Sequence, residues 1–360
     1  MIILHDKQTL LHKTIELLGA KIIPAQESPT RITEILLAFA RSHHELKHIS
    51  LEKSDRALDA LIDLIGETHG HDYLLHLKEV YNRWLEDGLI EDGEDILPEC
   101  FVFSTKAPAP TQPPKDIYAR AGYFAFDMSS GITNKTYASI IASANLAREA
   151  VRQSQNNKLK DVVALCRPPG HHCNGHRAGG YCYVNNAVVA ISEWRRQSPD
   201  SKIGILDIDF HHGNGTQDIY YSDSQVFYTS IHGADEFPYY TGKEDERGEG
   251  DAQGTNLNFP LQPGSSFEAY LEKLELALAA LAKHSPDFLL VSLGFDTFHL
   301  DPLGSFKIYT EDYEVMARTV RLRLPNVPSV LILEGGYAIE HLGDNFLSFL
   351  GGWEGNDNHS

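Results

Sequence analysis

The chain has 360 residues, 42% hydrophobic and 22% charged, a balance that excludes a largely disordered protein and leaves material for a sizeable core. Its formal net charge of −19 speaks against nucleic acid as a partner, because phosphate binding rests on clustered Lys and Arg. No run nears the roughly 18 apolar residues of a membrane span, and the start MIILHDKQTLLHK lacks the positive start and small-residue cleavage site of a secretory signal. The expectation is a cytoplasmic protein with no membrane partner, whose field suits a cationic small molecule or a basic peptide. Its four cysteines, Cys100, Cys166, Cys173 and Cys182, include no CxxC pair and read as reduced thiols.

Along the chain, the first 85 residues look helical: Ile32, Ile35, Leu36 and Phe39 recur at helical spacing, as do Leu74, Leu77 and Tyr81. From 86 to 115 the sequence becomes acidic and proline-rich, DGLIEDGEDILPEC and then APAPTQPP, without sustained periodicity. A loop of that length reads as a lid or interface arm. From 161 onward the chain alternates. DVVALC (161–166) is strand-like, 185–196 helical, KIGILDID (202–209) and VFYTSIH (226–232) strand-like, and 267–284 a long amphipathic helix. DFLLVSLGFD (287–296) is a strand, 312–324 a helix, and SVLILEGGY (329–337) a strand closed by a glycine turn. Continuous apolar strands alternating with helices predict an α/β protein, a mostly parallel central sheet covered on both faces. Such sheets place ligands beyond the carboxyl ends of their strands.

The polar residues fall at those ends. DVVALC runs into RPPGHH, with His171 and His172; GILDID runs into FHHGNG, with Asp207, Asp209, His211 and His212; LLVSLGFD ends on Asp296, and EGGY on Tyr337. Side chains two apart on a strand point the same way, so Asp207, Asp209 and His211 are expected on one face. Carboxylates converging with an imidazole need a cation or shared protons. One His, two carboxylates and an open position suit catalytic zinc; the absence of a thiolate also admits Fe2+ or Co2+. A histidine of the tandem pair can serve as base near neutral pH, and the hydroxyl of Tyr337 can donate to an oxygen gaining negative charge.

RPPGHH, AGGYCYVNNA, LDIDFHHGNGTQ, SLGFD and LEGGY, in this order, resemble the zinc-dependent histone deacetylase superfamily, strongly over residues 115–345. The resemblance implies a three-layer α/β/α fold of arginase/histone-deacetylase type and a single deacetylase domain over 1–360. It implies zinc on Asp209, His211 and Asp296, His172 as general base and then acid, and His171 as an electrostatic partner oriented by Asp207. Tyr337 would polarise the carbonyl. Asn214 stands where some members have the Asp that partners the second His. A structural potassium ion is implied near Asp207, Asp209, His211, Ser230 and Ile231, and Tyr181 and Phe237 in the channel wall.

YARAGYFAFD, FPYYTGKEDERGEGDAQGTNLNFPLQPG and GFDTFHLDP read most like the acetylpolyamine amidohydrolase branch. There, residues 86–115 would be an insertion at the active-site mouth that helps build a homodimer. The expected function is removal of acetyl groups from acetylated polyamines or other small cationic amines. Glu99, of the acidic run Glu91, Asp92, Glu94, Asp95 and Glu99, is the first choice to meet a distal ammonium; Leu303 supplies no gatekeeper carboxylate. The rivals are a protein acetyl-lysine deacetylase, a binuclear manganese ureohydrolase, which needs further Asp and His ligands, and a catalytically dead acetyl-ligand module, which would lack ligands or Tyr337.

Overall fold

In the computed structural model, which describes residues 1–102, 112–156 and 161–355, alternate residues of each central strand part company. On β5 (Asp161–Ala164) Val162 and Ala164 enter one apolar cluster, while Val163 and the following Leu165 enter another. On β10 (Ser329–Leu333) Val330 and Ile332 oppose Leu331 and Leu333 in the same way. This period of two, apolar on both sides, is what a sheet buried between two helical layers requires.

The sheet has eight parallel strands. With β1 (Ile2–His5), β4 (Glu45–His48), β6 (Ile203–Asp207), β7 (Val226–Gly233), β8 (Asn256–Leu261) and β9 (Phe288–Leu293), its order is β4–β1–β5–β10–β9–β6–β7–β8. One face is covered by α1 (Pro29–Phe39), α8 (Phe267–His284), α9 (Thr310–Arg323) and α10 (Ile339–Glu354), which supply Ile35, Leu278, Met316 and Phe346. The other is covered by α5 (Thr136–Asn156), α6 (Asn186–Gln197) and α7 (Asn214–Tyr220), through Leu146, Ile191 and Tyr220. The three-layer α/β/α architecture expected from the alternation is present. A third cluster joins α2 (Asp55–Ile65), α3 (His71–Glu86) and α4 (Ile117–Tyr123) through Leu64, Trp84 and Ala121.

The amino-terminal part departs from the helical expectation. Besides α1, α2 and α3 it holds β1 and β4 of the main sheet and an antiparallel hairpin, β2 (Ile15–Leu18) with β3 (Lys21–Pro24). Strands of four residues are too short to show a period, and β1 is stabilised by neighbours far away in sequence, β4 and β5. Of the 86–115 segment, 103–111 lie outside the described residues. Its described part is pinned rather than free: Ile96 pairs with Ile132 and is buried, and Asp95 accepts from the Thr14 hydroxyl (2.6 Å) and the Ile15 N–H (2.8 Å).

Candidate active site

β5, β10, β9 and β6 are four neighbours at the middle of the sheet, and they are the strands whose ends carry the polar motifs. β6 stops at Asp207, so strand alternation does not carry the set onward; hydrogen bonds do. Asp207 Oδ1 accepts from the Asp209 N–H (3.2 Å), and Asp209 Oδ1 from the His211 N–H (2.8 Å). Asp207 therefore sits behind the site. Its Oδ2 accepts from His171 Nδ1 and from the Tyr228 hydroxyl, each at 3.2 Å. In the β6–β7 register Asp207 lies opposite Ser230, whose hydroxyl meets His232 Nδ1 at 2.9 Å, with Ile231 next in line.

Asp209, His211 and Asp296 bring one ligand atom each to within 4.8 Å of one another. His211 Nδ1 lies 2.9 Å from Asp296 Oδ2 and 3.3 Å from Asp209 Oδ1. Backbone donors fix the carboxylates: Phe210 N–H to Asp296 Oδ1 (2.8 Å) and Gly335 N–H to Asp209 Oδ2 (2.7 Å). Both carboxylates are fully buried. Burial and the Asp209 charge push Asp296 up to about 7. Burial works against charge on Asp209 too, but His171 and His211 hold it below its ordinary range. Two buried carboxylates facing one imidazole are a donor set whose types fit a single ion of the zinc class.

The histidine pair is sorted by its partners. His171 is buried, which disfavours its charge, yet Asp209 and Asp207 raise it to about 10. His172 donates from Nδ1 to Asn214 Oδ1 (2.8 Å), leaving Nε2 with its lone pair. Burial and the charges of His171 and His211 hold His172 well below the ordinary histidine value. Adjacent imidazoles are thus pushed in opposite directions by their surroundings. The Pro-Pro-Gly turn before them is held by Glu334, whose Oε2 accepts from the Gly170 (2.7 Å) and His171 (3.2 Å) N–H groups.

Tyr337 is placed by its backbone: its N–H and that of Ala338 donate to Asp301 Oδ2, at 2.6 and 3.0 Å. Arg31 lies over its ring, 4.9 Å from the centroid, and donates from Nε to the Gly336 carbonyl (2.7 Å). Glu27 accepts from Arg31 (2.9 Å) and Arg167 (2.8 Å) in a fully buried ion triplet. Burial keeps the Tyr337 hydroxyl well above its ordinary value, hence protonated and a donor.

These groups open into a cavity of about 520 Å3, with His172, His211 and Tyr337 at its floor. Tyr181, Phe237 and Leu303 form the wall. The Phe237 ring meets His172 edge-on at 5.0 Å, and Tyr181 lies 5.7 Å from Tyr337. Gly180 and Tyr181 both take positive φ, 55° and 64°. Side-chain residues in that region cost about 1–3 kcal/mol, and two carboxylates hold the turn: Glu16 accepts from the Tyr181 hydroxyl (2.6 Å) and Asp127 from the Gly180 N–H (2.8 Å). Glu99 is not where the sequence placed it. It is exposed, accepts from the Tyr118 hydroxyl (2.5 Å) and does not line the cavity; nor do Glu91, Asp92, Glu94 or Asp95. The acidic run stays at the surface or, at Asp95, anchors the hairpin.

Sequence reasoning missed Glu16, Asp127 and Glu236 in the cavity and Glu27, Arg31, Asp301 and Glu334 behind it. Glu334 and Asp301 lay inside quoted motifs, LEGGY and GFDTFHLDP, where a buried acid beside a strand end was the available signal. The others come from β2, α1 and loops, with no local pattern.

Fold and site together define an α/β protein whose polar centre is gathered at the carboxyl ends of a parallel sheet. Residues 25–352 match the histone deacetylase domain, and the chain belongs to that family. It is 35% identical to acetylpolyamine amidohydrolase 2 of Pseudomonas aeruginosa over 97% of each chain, and 37% identical to acetylpolyamine amidohydrolase 1 of the same organism over 94% of each. The crystal structure of an acetylpolyamine aminohydrolase from Burkholderia pseudomallei superimposes with a TM-score of 0.87 at 30% identity, covering 98% of each chain.

Proposed function

We propose that the protein hydrolyses the acetamide of a small acetylated polyamine or diamine, releasing acetate and the free amine, with one catalytic divalent metal. The carrying observation is the opposed histidine pair beside the Asp209–His211–Asp296 cage, in a chain similar along nearly its whole length to acetylpolyamine amidohydrolases. Zinc suits the ligand types, and Fe2+ or Co2+ would be accepted by the same thiolate-free set. Held by Asp209, His211 and Asp296, the ion would supply Lewis-acid polarisation of the acetamide carbonyl and acidify water.

His172 takes the water proton at Nε2, since Nδ1 is committed to Asn214. His171, kept charged by Asp207 and Asp209, favours the anion that develops beside it. The Tyr337 hydroxyl donates to the former carbonyl oxygen as that oxygen gains charge. The proton on His172 then passes to the departing amine. Asp207, Asp209, His211, Ser230 and Ile231 would hold a structural potassium ion behind the site, and residues 86–115 would contribute to a homodimer, which sedimentation tests directly.

The cationic tail of the substrate finds Glu236 in the wall. Glu16 and Asp127 are committed to the Gly180–Tyr181 turn, whereas the Glu236 carboxylate accepts no hydrogen bond among the described residues and is half-buried, able to pair with an ammonium group. The test is a comparison of kcat/KM for acetylputrescine, acetylcadaverine, acetylspermidine and acetyl-lysine peptides at low and high salt. The acetylated amines should lead, and lose more of their advantage in salt. Peptides ahead by about tenfold, or about 1.4 kcal/mol, would establish a protein deacetylase instead.

A further inference from the structure

Among the described residues a second group has metal-ligand chemistry: His43, His44 and Glu354, whose ligand atoms lie within 4.8 Å of one another. It sits at the amino-terminal ends of β1 and β4, across the sheet from the cavity. His43 and His44 follow α1, and Glu354 ends α10. His43 Nε2 and His44 Nε2 lie 3.4 and 3.3 Å from the same oxygen, Glu354 Oε2. Ordinary N–H···O bonds cluster near about 2.9 Å. A tetrahedral zinc with bonds of about 2.0–2.2 Å sets its ligand atoms about 3.3–3.6 Å apart.

The hydrogen bonds behind His44 decide which of its nitrogens is free. The Ser42 hydroxyl donates to the Phe39 carbonyl (2.9 Å), so its oxygen accepts from His44 Nδ1 (3.0 Å). That bond places the ring proton on Nδ1 and leaves a lone pair on Nε2, which is buried and finds no hydrogen-bond donor. With the proton on Nδ1, the lone pair faces the Glu354 carboxylate oxygen at 3.3 Å, an arrangement that a cation relieves. A ligating histidine whose other nitrogen donates to an outer partner is the usual build of a metal site. The carboxylate is itself oriented, because the Met1 amine donates to its other oxygen (2.9 Å).

We propose that His43, His44 and Glu354 form a second site for a divalent transition metal of the zinc class, completed by water and separate from the catalytic cage. The ion would fasten the end of α1 to the end of α10. At the other end of α1, Arg31 reaches the Gly336 carbonyl, beside Tyr337 and just ahead of α10.

Equilibrium dialysis of the full chain against buffered Zn2+, with metal counted per chain, tests the site. The wild type should bind one ion more than His43→Ala, a substitution at an exposed residue that leaves acetyl turnover unchanged. Ser42→Ala, which removes the hydrogen-bond lock but no ligand, should weaken that extra ion by about 10–100-fold. The extra ion should also raise the thermal midpoint of the wild type in a zinc-dependent way that His43→Ala loses. Equal stoichiometry in wild type and His43→Ala at saturating Zn2+ overturns the proposal. The count is a difference between the two proteins, so it reads this site whether or not the catalytic cage is filled.

Discussion

The floor of the cavity and its wall are built in opposite ways. At and behind the floor, Asp209, Asp296, His171 and His172 are buried, and each is fixed by a neighbour: Gly335, Phe210 and Asp207 at or just past strand ends, and Asn214 at the start of α7. The wall comes from β2 and from loops, with Leu17 and Leu18 43% and 48% exposed and the Glu236 carboxylate accepting no hydrogen bond among the described residues. Rigid placement suits a group that must meet a transition state, while looser, exposed groups suit selection among similar substrates. Reaction type is thus written into the sheet, and substrate range into what surrounds its edge.

If that division is right, mutations should rank by depth. His211→Ala or Asp296→Ala should remove the catalytic ion and reduce turnover to background, checked by metal content together with assay. Tyr337→Phe should leave the ion in place and lower kcat by about 10²–10³, the size of a lost oxyanion donor; a wild-type kcat would remove Tyr337 from the floor altogether.

Asn214→Asp acts through charge rather than contact. His172 lies well below the ordinary histidine value, so as base it stays neutral, and the acid limb of kcat/KM should fall below pH 6.5. A carboxylate at Nδ1 stabilises the protonated ring, raises its pKa and moves that limb to higher pH. A pH–rate profile of the two enzymes reads the shift directly.

The smallest effect belongs to the wall. Glu236→Gln should raise KM for an acetylated polyamine about two- to fivefold with kcat unchanged, as expected for an exposed ion pair of about 0.5–1 kcal/mol. The difference should shrink in high salt, and acetyl substrates without a second amine should not feel it.

Much of the floor was legible from sequence because strand ends concentrate it. DID, HH, GFD and GGY each follow an apolar run that is one of four adjacent strands, so spacing along the chain became proximity in space. The wall was not legible. Glu16 is brought in by a hairpin with strands of only four residues, and Asp127 by a loop. Within the acidic run, Pro98 and the Cys-Phe pair beside Glu99 suggest an ordered position, but local order carries no direction, and the side chain turns to Tyr118. The helix at 267–284 matched residue for residue because its amphipathic period persists over 18 residues. β1 and β4 went unseen for the opposite reason, four residues each.

Gly335 has a consequence for how this sequence can change over time. It touches no substrate and bears no side chain, yet a Cβ added there would fall against Asp296 Oδ2 and Asp209 Oδ2, closer than carbon and oxygen approach without bonding. An oversized residue is ordinarily accommodated by trimming a neighbour. Here the neighbours are the two carboxylates of the cage, and trimming either one abolishes what the position protects. Trimming either neighbour cannot rescue the first substitution, so a lineage that keeps its chemistry is held to glycine at this point by the very groups it must preserve.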